Sequence, residues 1–273
     1  MKPSMVKTQV TEEILRRLKD AEREHGVRIL YACESGSRAW GFASPDSDYD
    51  VRFIYMHPPE WYLSFDVERR RDVIEYPITD DIDCSGWDIR KALYLFTRTN
   101  GALMEWLNSP IQYIEIGDFA QRLKALAPRA FNSISLCFHY SHMARGNARE
   151  CLFKGQVRLK KYFYVLRPLL AIRFIERNGA PPPVAFEQLV DSVAPDSILP
   201  GIRELLRLKR HSPEIGLGKP IVEINEFIES EFERHGESFK GYGRPDLHTR
   251  QEVHNELNGL FRSSLYMHGN EIA

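Results

Sequence analysis

Cysteine is scarce in this chain and unpaired by spacing. Cys33, Cys84, Cys137 and Cys151 are the only four, and no two form a C-x-x-C couple. That argues against a disulfide framework and for reduced thiols in a reducing compartment. An apolar h-region is missing from the opening Met1-Lys2-Pro3-Ser4, so a cytoplasmic protein is expected. Long hydrophobic runs are also missing. The longest mainly apolar stretch, Tyr162 to Ile175, is broken by Arg167, Pro168 and Arg173 and is too short and charged to span a bilayer. No internal repeat, low-complexity tract, Ser-His-Asp order or cysteine-nucleophile motif stands out. The net charge of -1 leaves no global surplus to indicate a nucleic-acid partner, so only local clustering is informative.

What is present is a 273-residue chain with 43% hydrophobic content, enough for one large or two ordinary cored domains. Glu12 to Glu24 reads as an amphipathic helix with Ile14, Leu15, Leu18 and Ala21 on one face. Val27 to Cys33 reads as a strand, broken by Ser35-Gly36-Ser37, with Arg38-Ala39-Trp40 opening a short helix. Ser44-Pro45-Asp46-Ser47 is a turn cluster. Tyr49 to Tyr55, Asp72 to Tyr76 and Asp81 to Trp87 read as further strands, and Asp88 as the N-cap of a helix beginning at Arg90. After Pro128 the pattern is helical, over about 131–152, 156–178, 184–191, 213–234 and 247–268. The expected fold is an α/β domain with a mixed sheet over 1–128, followed by an all-helical domain over 129–273.

Asp48 and Asp50 lie two apart at a strand's start, so their carboxylates are expected on one face, with Tyr49, Val51 and Phe53 turned into a core. Adjacent like charges are costly unless a cation lies between them, and Mg²⁺ takes such oxygen ligands together with substrate phosphates. The competing reading is a polar loop. A calcium EF-hand loop is excluded, because Val51 and His57 stand where Gly and Glu are required. Gly36-Ser37 follows a strand and opens a helix, where backbone N–H groups and a hydroxyl can hold phosphate oxygens. Strand, Gly-Ser, helix, turn and Asp-x-Asp strand would place a phosphate holder and a metal holder on one rim.

Gly-Ser, a spacer, then Asp-hydrophobic-Asp-hydrophobic resembles the signature of the DNA polymerase β-like nucleotidyltransferase superfamily. The fuller stretch from Gly36 to Arg52 is similar to its YcgL/RlaP-type branch, whose name links it to RNA repair. Ser85-Gly86-Trp87-Asp88-Ile89-Arg90-Lys91-Ala92-Leu93 and Leu159 to Leu170 resemble the same branch. Ser35 departs from the pattern, which usually has a hydrophobic residue before Gly-Ser.

The resemblance implies a third carboxylate on a later strand. Asp83, flanked by Ile82 and Cys84, fits best, with Asp81 and Asp88 as alternatives and Asp88 otherwise a helix cap. It further implies an NTP substrate and two Mg²⁺ ions (or Mn²⁺) held by Asp48, Asp50 and Asp83, with Gly36 and Ser37 on the phosphates; the Arg38 guanidinium, next to Ser37, is a further candidate for the triphosphate. The acceptor it implies is RNA. Competing expectations are transfer to a protein or small-molecule hydroxyl, and an inactive nucleotide-binding, antitoxin-like module.

Residues 145–177 carry a local charge of +7, leaving -8 to the rest of the chain. They are expected to meet triphosphate or a nucleic-acid backbone. The resemblance puts Lys160 or Lys161 on the triphosphate. Tyr164, with Tyr162, is a candidate for base stacking, against a competing role in packing. Cys137, His139, His142 and Cys151 are read as parts of a packed helix, because zinc needs four converging ligands. Trp61 and Trp106 read as core or surface anchors, and His25 and His57 show no partner in the sequence.

Overall fold

Val51 and Phe53 alternate with Asp50 and Arg52 along one strand, and that alternation organises the first half of the protein. The computed structural model describes residues 8–149, 156–211, 216–235 and 243–269. They group into two compact units. One contains the described residues of 1–39, 48–130 and 245–273, and the other those of 40–47 and 131–244.

The first unit runs α1 (Thr8–His25), β1 (Arg28–Glu34), α2 (Gly36–Ala39), β2 (Tyr49–Met56), α3 (Pro59–Tyr62), β3 (Val73–Glu75), β4 (Ile82–Asp88), α4 (Ile89–Thr97), α5 (Gly101–Leu107), β5 (Gln112–Glu115) and α6 (Phe119–Ala130). The five strands form one mixed sheet in the order β3-β4-β2-β1-β5. β2 is antiparallel to β1 and parallel to β4. One face packs Ile29, Ala32, Val51, Phe53, Ile82 and Cys84 against Ile14 and Leu18 of α1. The other packs Leu30, Ile54 and Met56 against the helical cluster of Ile89, Phe96, Leu103 and Leu123. Burial on both faces explains the unbroken apolar run at the end of β2.

The second unit holds α7 (Ser133–Ala148), β6 (Val157–Arg158), α8 (Lys160–Asn178), α9 (Phe186–Val193), α10 (Leu199–His211), β7 (Leu217–Gly218) and α11 (Val222–His235). Its core centres on α8, where Phe163, Leu166, Leu169, Leu170 and Ile172 are fully buried. Glu231 of α11 accepts Arg234 at 2.7 Å, and Arg234 also reaches Glu176 of α8 at 2.8 Å. Arg173 stands 3.5 Å from Glu231. The last helix, α12 (Leu247–Gly269), belongs to the first unit, where Val253, Leu257 and Leu260 join the cluster of α4 and α6.

A mixed α/β part followed by helices is what the structure has, but no single cut divides it. The expected boundary near Pro128 lies close to the break at Ala130. Yet Trp40–Ser47 packs in the helical unit and α12 in the sheet unit. The cause is apolar. Phe42 stacks on Phe163 with centroids 4.6 Å apart, and α12 supplies an apolar stripe to the sheet's helical face. Pro128 itself lies inside α6 and does not end it.

No described helix is long and apolar enough to cross a membrane. Cys33, Cys84 and Cys137 are free and buried, and Cys151 lies outside the described residues.

Candidate active site

Gly36 sits at φ +57°, a conformation that costs any residue with a Cβ. A Cβ there would lie 2.0 Å from Oδ2 of Asp50. The bare backbone therefore makes room for a carboxylate. Ser37 follows, buried in the first turn of α2, and Ser35 N donates to Asp50 O at 2.8 Å. Gly36, Ser37 and Asp50 thus form one packed corner.

Asp50 and Asp83 are direct partners in the parallel β2–β4 ladder. Asp83 is the acid beside Asp50, and the alternatives lie elsewhere. Asp88 caps α4, accepting Arg90 N at 2.8 Å and the Tyr62 hydroxyl at 2.8 Å. Burial pushes its carboxyl up to about 6. Asp81 is exposed at positive φ and contributes its carbonyl to Tyr49 N at 2.7 Å.

Arg52, two residues along the same face of β2, bridges the two carboxylates. Its guanidinium reaches Asp83 Oδ2 at 2.7 Å and Asp50 Oδ1 at 3.2 Å, and it also holds Asp83 O at 2.9 Å. Two carboxylates placed side by side require positive charge, and here the protein supplies it. The pair offers hard oxygen donors of the kind Mg²⁺ and Mn²⁺ take, so the donor chemistry fits a divalent cation.

Asp48 stands just ahead of the strand, whose start at Tyr49 is the one the sequence pattern predicts. Ladder pairing starts at Tyr49, and Asp48 is exposed one residue before it, its carbonyl accepting Arg38 Nε at 3.2 Å. The preceding turn is closed by Ser47 N donating to Ser44 O at 3.1 Å. Among the described residues no three His, Cys, Asp or Glu side chains stand together as a ready-made metal cluster. The Arg38 guanidinium lies 3.7 Å from the centroid of the Tyr49 ring, a cation–π contact at the rim of the corner.

Sequence reasoning passed over two groups. One is Arg52, whose signal was its position two residues from Asp50 on the same strand face. The other is Glu34, at the end of β1 and fully buried. It accepts Asp50 N at 2.8 Å and the Tyr113 hydroxyl. Burial pushes its carboxyl up to about 7, against the pull of those hydrogen bonds. It braces the backbone of Asp50 from beneath.

The stretches that resembled the family have local structural explanations. Gly86 pairs with Phe53 across the ladder, and a Cβ there would strike that ring at 2.2 Å. Trp87 stacks on Trp106 at 3.9 Å. In α8, Tyr162 is a packing residue, its hydroxyl donating to Asn225 Oδ1 at 2.7 Å. Tyr164 meets Trp40 edge-on at 5.6 Å, and the Arg167 guanidinium lies 4.6 Å over the Trp40 ring. Lys160 is half-buried, and Lys161 lies 3.4 Å from Asn147 Oδ1. These belong to the second unit, whereas Gly36, Ser37, Asp50 and Asp83 belong to the first.

The basic segment is partly structural. Arg145, Arg167, Arg173 and Arg177 donate to the carbonyls of Phe232, Val184, Val193 and Ser192. Lys154 and Cys151 lie outside the described residues. His25 packs edge-on against Tyr76, and His57 stacks on Trp61 at 4.1 Å, partners the sequence did not disclose. Burial holds His57 down at about 4.

A curated relative in Bacillus subtilis (strain 168), described as an uncharacterized protein YcgL, is 44% identical over 255 residues. The match covers 93% of this chain and 96% of that one. The family model for RlaP, described as the RNA repair pathway DNA polymerase beta family, matches residues 10–263. The chain carrying the Gly36–Asp50–Asp83 corner therefore belongs to the RlaP family of DNA polymerase β-like proteins.

Proposed function

We propose that this protein is a divalent-metal-dependent nucleotidyltransferase that moves a nucleoside monophosphate from an NTP to an acceptor hydroxyl. The observation that carries this reading is the register pairing of Asp50 with Asp83 beside the Gly36 cradle. Membership of the polymerase β-like family supports nucleotidyl transfer as the reaction class. The family's RNA-repair description favours an RNA 3′ end as the acceptor.

Asp50 and Asp83, with Asp48 at the rim, would hold two Mg²⁺ ions. When bound, such ions neutralise charge on the attacking and leaving oxygens. Ser37 and the backbone N–H groups of α2 hold the β and γ phosphates, and Arg38 adds a guanidinium to them. Asp83 takes the proton of the acceptor hydroxyl. The new bond joins the acceptor oxygen to the α-phosphorus, the bond to the β-phosphate oxygen breaks, and pyrophosphate leaves. Positioning and charge neutralisation supply most of the rate.

The test incubates the protein with each α-labelled NTP, Mg²⁺ or Mn²⁺, and a panel of RNA oligomers, tRNA and proteins. Metal-dependent label on RNA, lost in Asp50→Asn and Asp83→Asn, supports the reading. Label on protein moves the acceptor to a side-chain hydroxyl. No transfer to any acceptor, with NTP binding the same in wild type and both variants, overturns it.

A further inference from the structure

α4 and α12 lie side by side in the sheet unit, and a groove of about 530 Å³ runs between them. Its lining includes Arg90, Arg98, Arg250 and His254 and not one aspartate or glutamate. The acids of α12 nearest in sequence point to another partner, as Glu252 and Glu256 both bind Arg129. Arg90 is paired with Glu68, outside the lining, and Arg250 donates to the Asp246 carbonyl at 3.4 Å. Neither Arg98 nor Arg250 has a carboxylate partner among the described residues.

The aromatic content is as telling as the charge. Tyr94 is 56% exposed, and the Arg98 guanidinium lies 4.7 Å from its ring centroid. The inner face of α4 holds Leu93 and Phe96, and Tyr94 lies off it. An exposed aromatic ring flanked by arginines is the composition of a surface that stacks bases while holding phosphates. Arg98, at the C-terminal cap of α4, and Arg250, on α12, reach the groove from its two sides. The repeat of cationic groups suits a chain of phosphodiesters.

The geometry points to this α4–α12 groove as a binding site for single-stranded nucleic acid, with Arg98 and Arg250 on the phosphates and a base stacked on Tyr94. The inference deepens the proposed function by naming where an RNA acceptor is gripped, and it rests on that reading for its use. The groove shares no residue with the Asp50–Asp83 corner, so binding and transfer can be tested separately.

The experiment is fluorescence anisotropy with a labelled 12-nucleotide single-stranded RNA at several salt concentrations. It compares wild type, Arg98→Glu/Arg250→Glu, Tyr94→Ala and Asp50→Asn, with thermal melts confirming the fold of each. The double reversal should weaken binding at least ten-fold at low salt. It should also flatten the slope of log K against log salt by about 1.4, two contacts at ~0.7 each. Tyr94→Ala should lose several-fold at any salt, whereas Asp50→Asn should bind like wild type even though its transfer is abolished. The groove is overturned if wild type binds no RNA at low salt, or if the double reversal binds as wild type does. It is equally overturned if an acidic peptide of equal charge binds as tightly as RNA and with the same dependence on Tyr94.

Discussion

Gly36 and Asp50 compete for one position in space: where the glycine lacks a side chain, the carboxylate of Asp50 stands, 2.0 Å from the point a Cβ would occupy. Gly36→Ala must therefore strain the left-handed backbone, at about 1–2 kcal/mol, and displace Asp50 as well. We expect a lowered melting temperature together with loss of nucleotidyl transfer of at least a hundred-fold. A variant that melts earlier but transfers normally would mean that Asp50 works from a different position.

Arg52 stands between Asp50 and Asp83 where a cation's charge is needed. In Arg52→Met the two carboxylates face one another uncompensated. The metal-free protein should lose about 1–2 kcal/mol, less than a fully buried pair because these groups keep some solvent contact. Millimolar Mn²⁺ should then raise the melting temperature of Arg52→Met by more than it raises that of wild type. Equal gains in the two proteins would show that the pair is not where the cation binds.

Phe42 is buried in the helical unit, stacked on Phe163 and edge-on to Phe186. It lies in the segment 40–47, which packs with the helical unit. Phe42→Ala should cost about 3–4 kcal/mol, measured by urea denaturation. Phe42→Leu, which keeps most of the volume, should restore most of that stability.

Strand alternation made Asp50, Val51 and Phe53 legible, because one face of β2 is polar at its start and the other is wholly buried. Asp83 was reached through the family resemblance, which implies a third carboxylate with hydrophobic flanks, and Asp88 from its place ahead of a helix. The start of β2 at Tyr49 was legible as well, because the Ser44–Ser47 turn marks where the strand can begin. The bounds of α5, β5 and α6 escaped for different reasons. α5 opens on Gly101, α6 contains Pro128, and β5 is a four-residue edge strand, so local propensity argued against each. Tertiary burial of Leu103, Trp106, Leu123 and Leu126 overrides it. No spacing rule disclosed that Trp40–Ser47 would pack with residues more than a hundred positions later. That contact depends on three-dimensional complementarity between Phe42 and Phe163.

Glu231 supplies a pH test of the helical unit. Burial alone would push its carboxyl up, but hydrogen bonds with His235 and Arg234 and the charge of Arg173 outweigh that and hold it down at about 2. A depressed folded-state value means that the ionised form stabilises the fold. The contribution is fully present above the ordinary value of 4.5 and is lost as the pH falls from there to about 2. Denaturation curves between pH 7 and pH 2 should show a steep acid limb in wild type. Glu231→Gln should be less stable at pH 7 and nearly as stable as wild type at pH 2, flattening that limb. If the two proteins lose stability in parallel through the acid range, the acid sensitivity lies with other carboxylates and Glu231 is not its source.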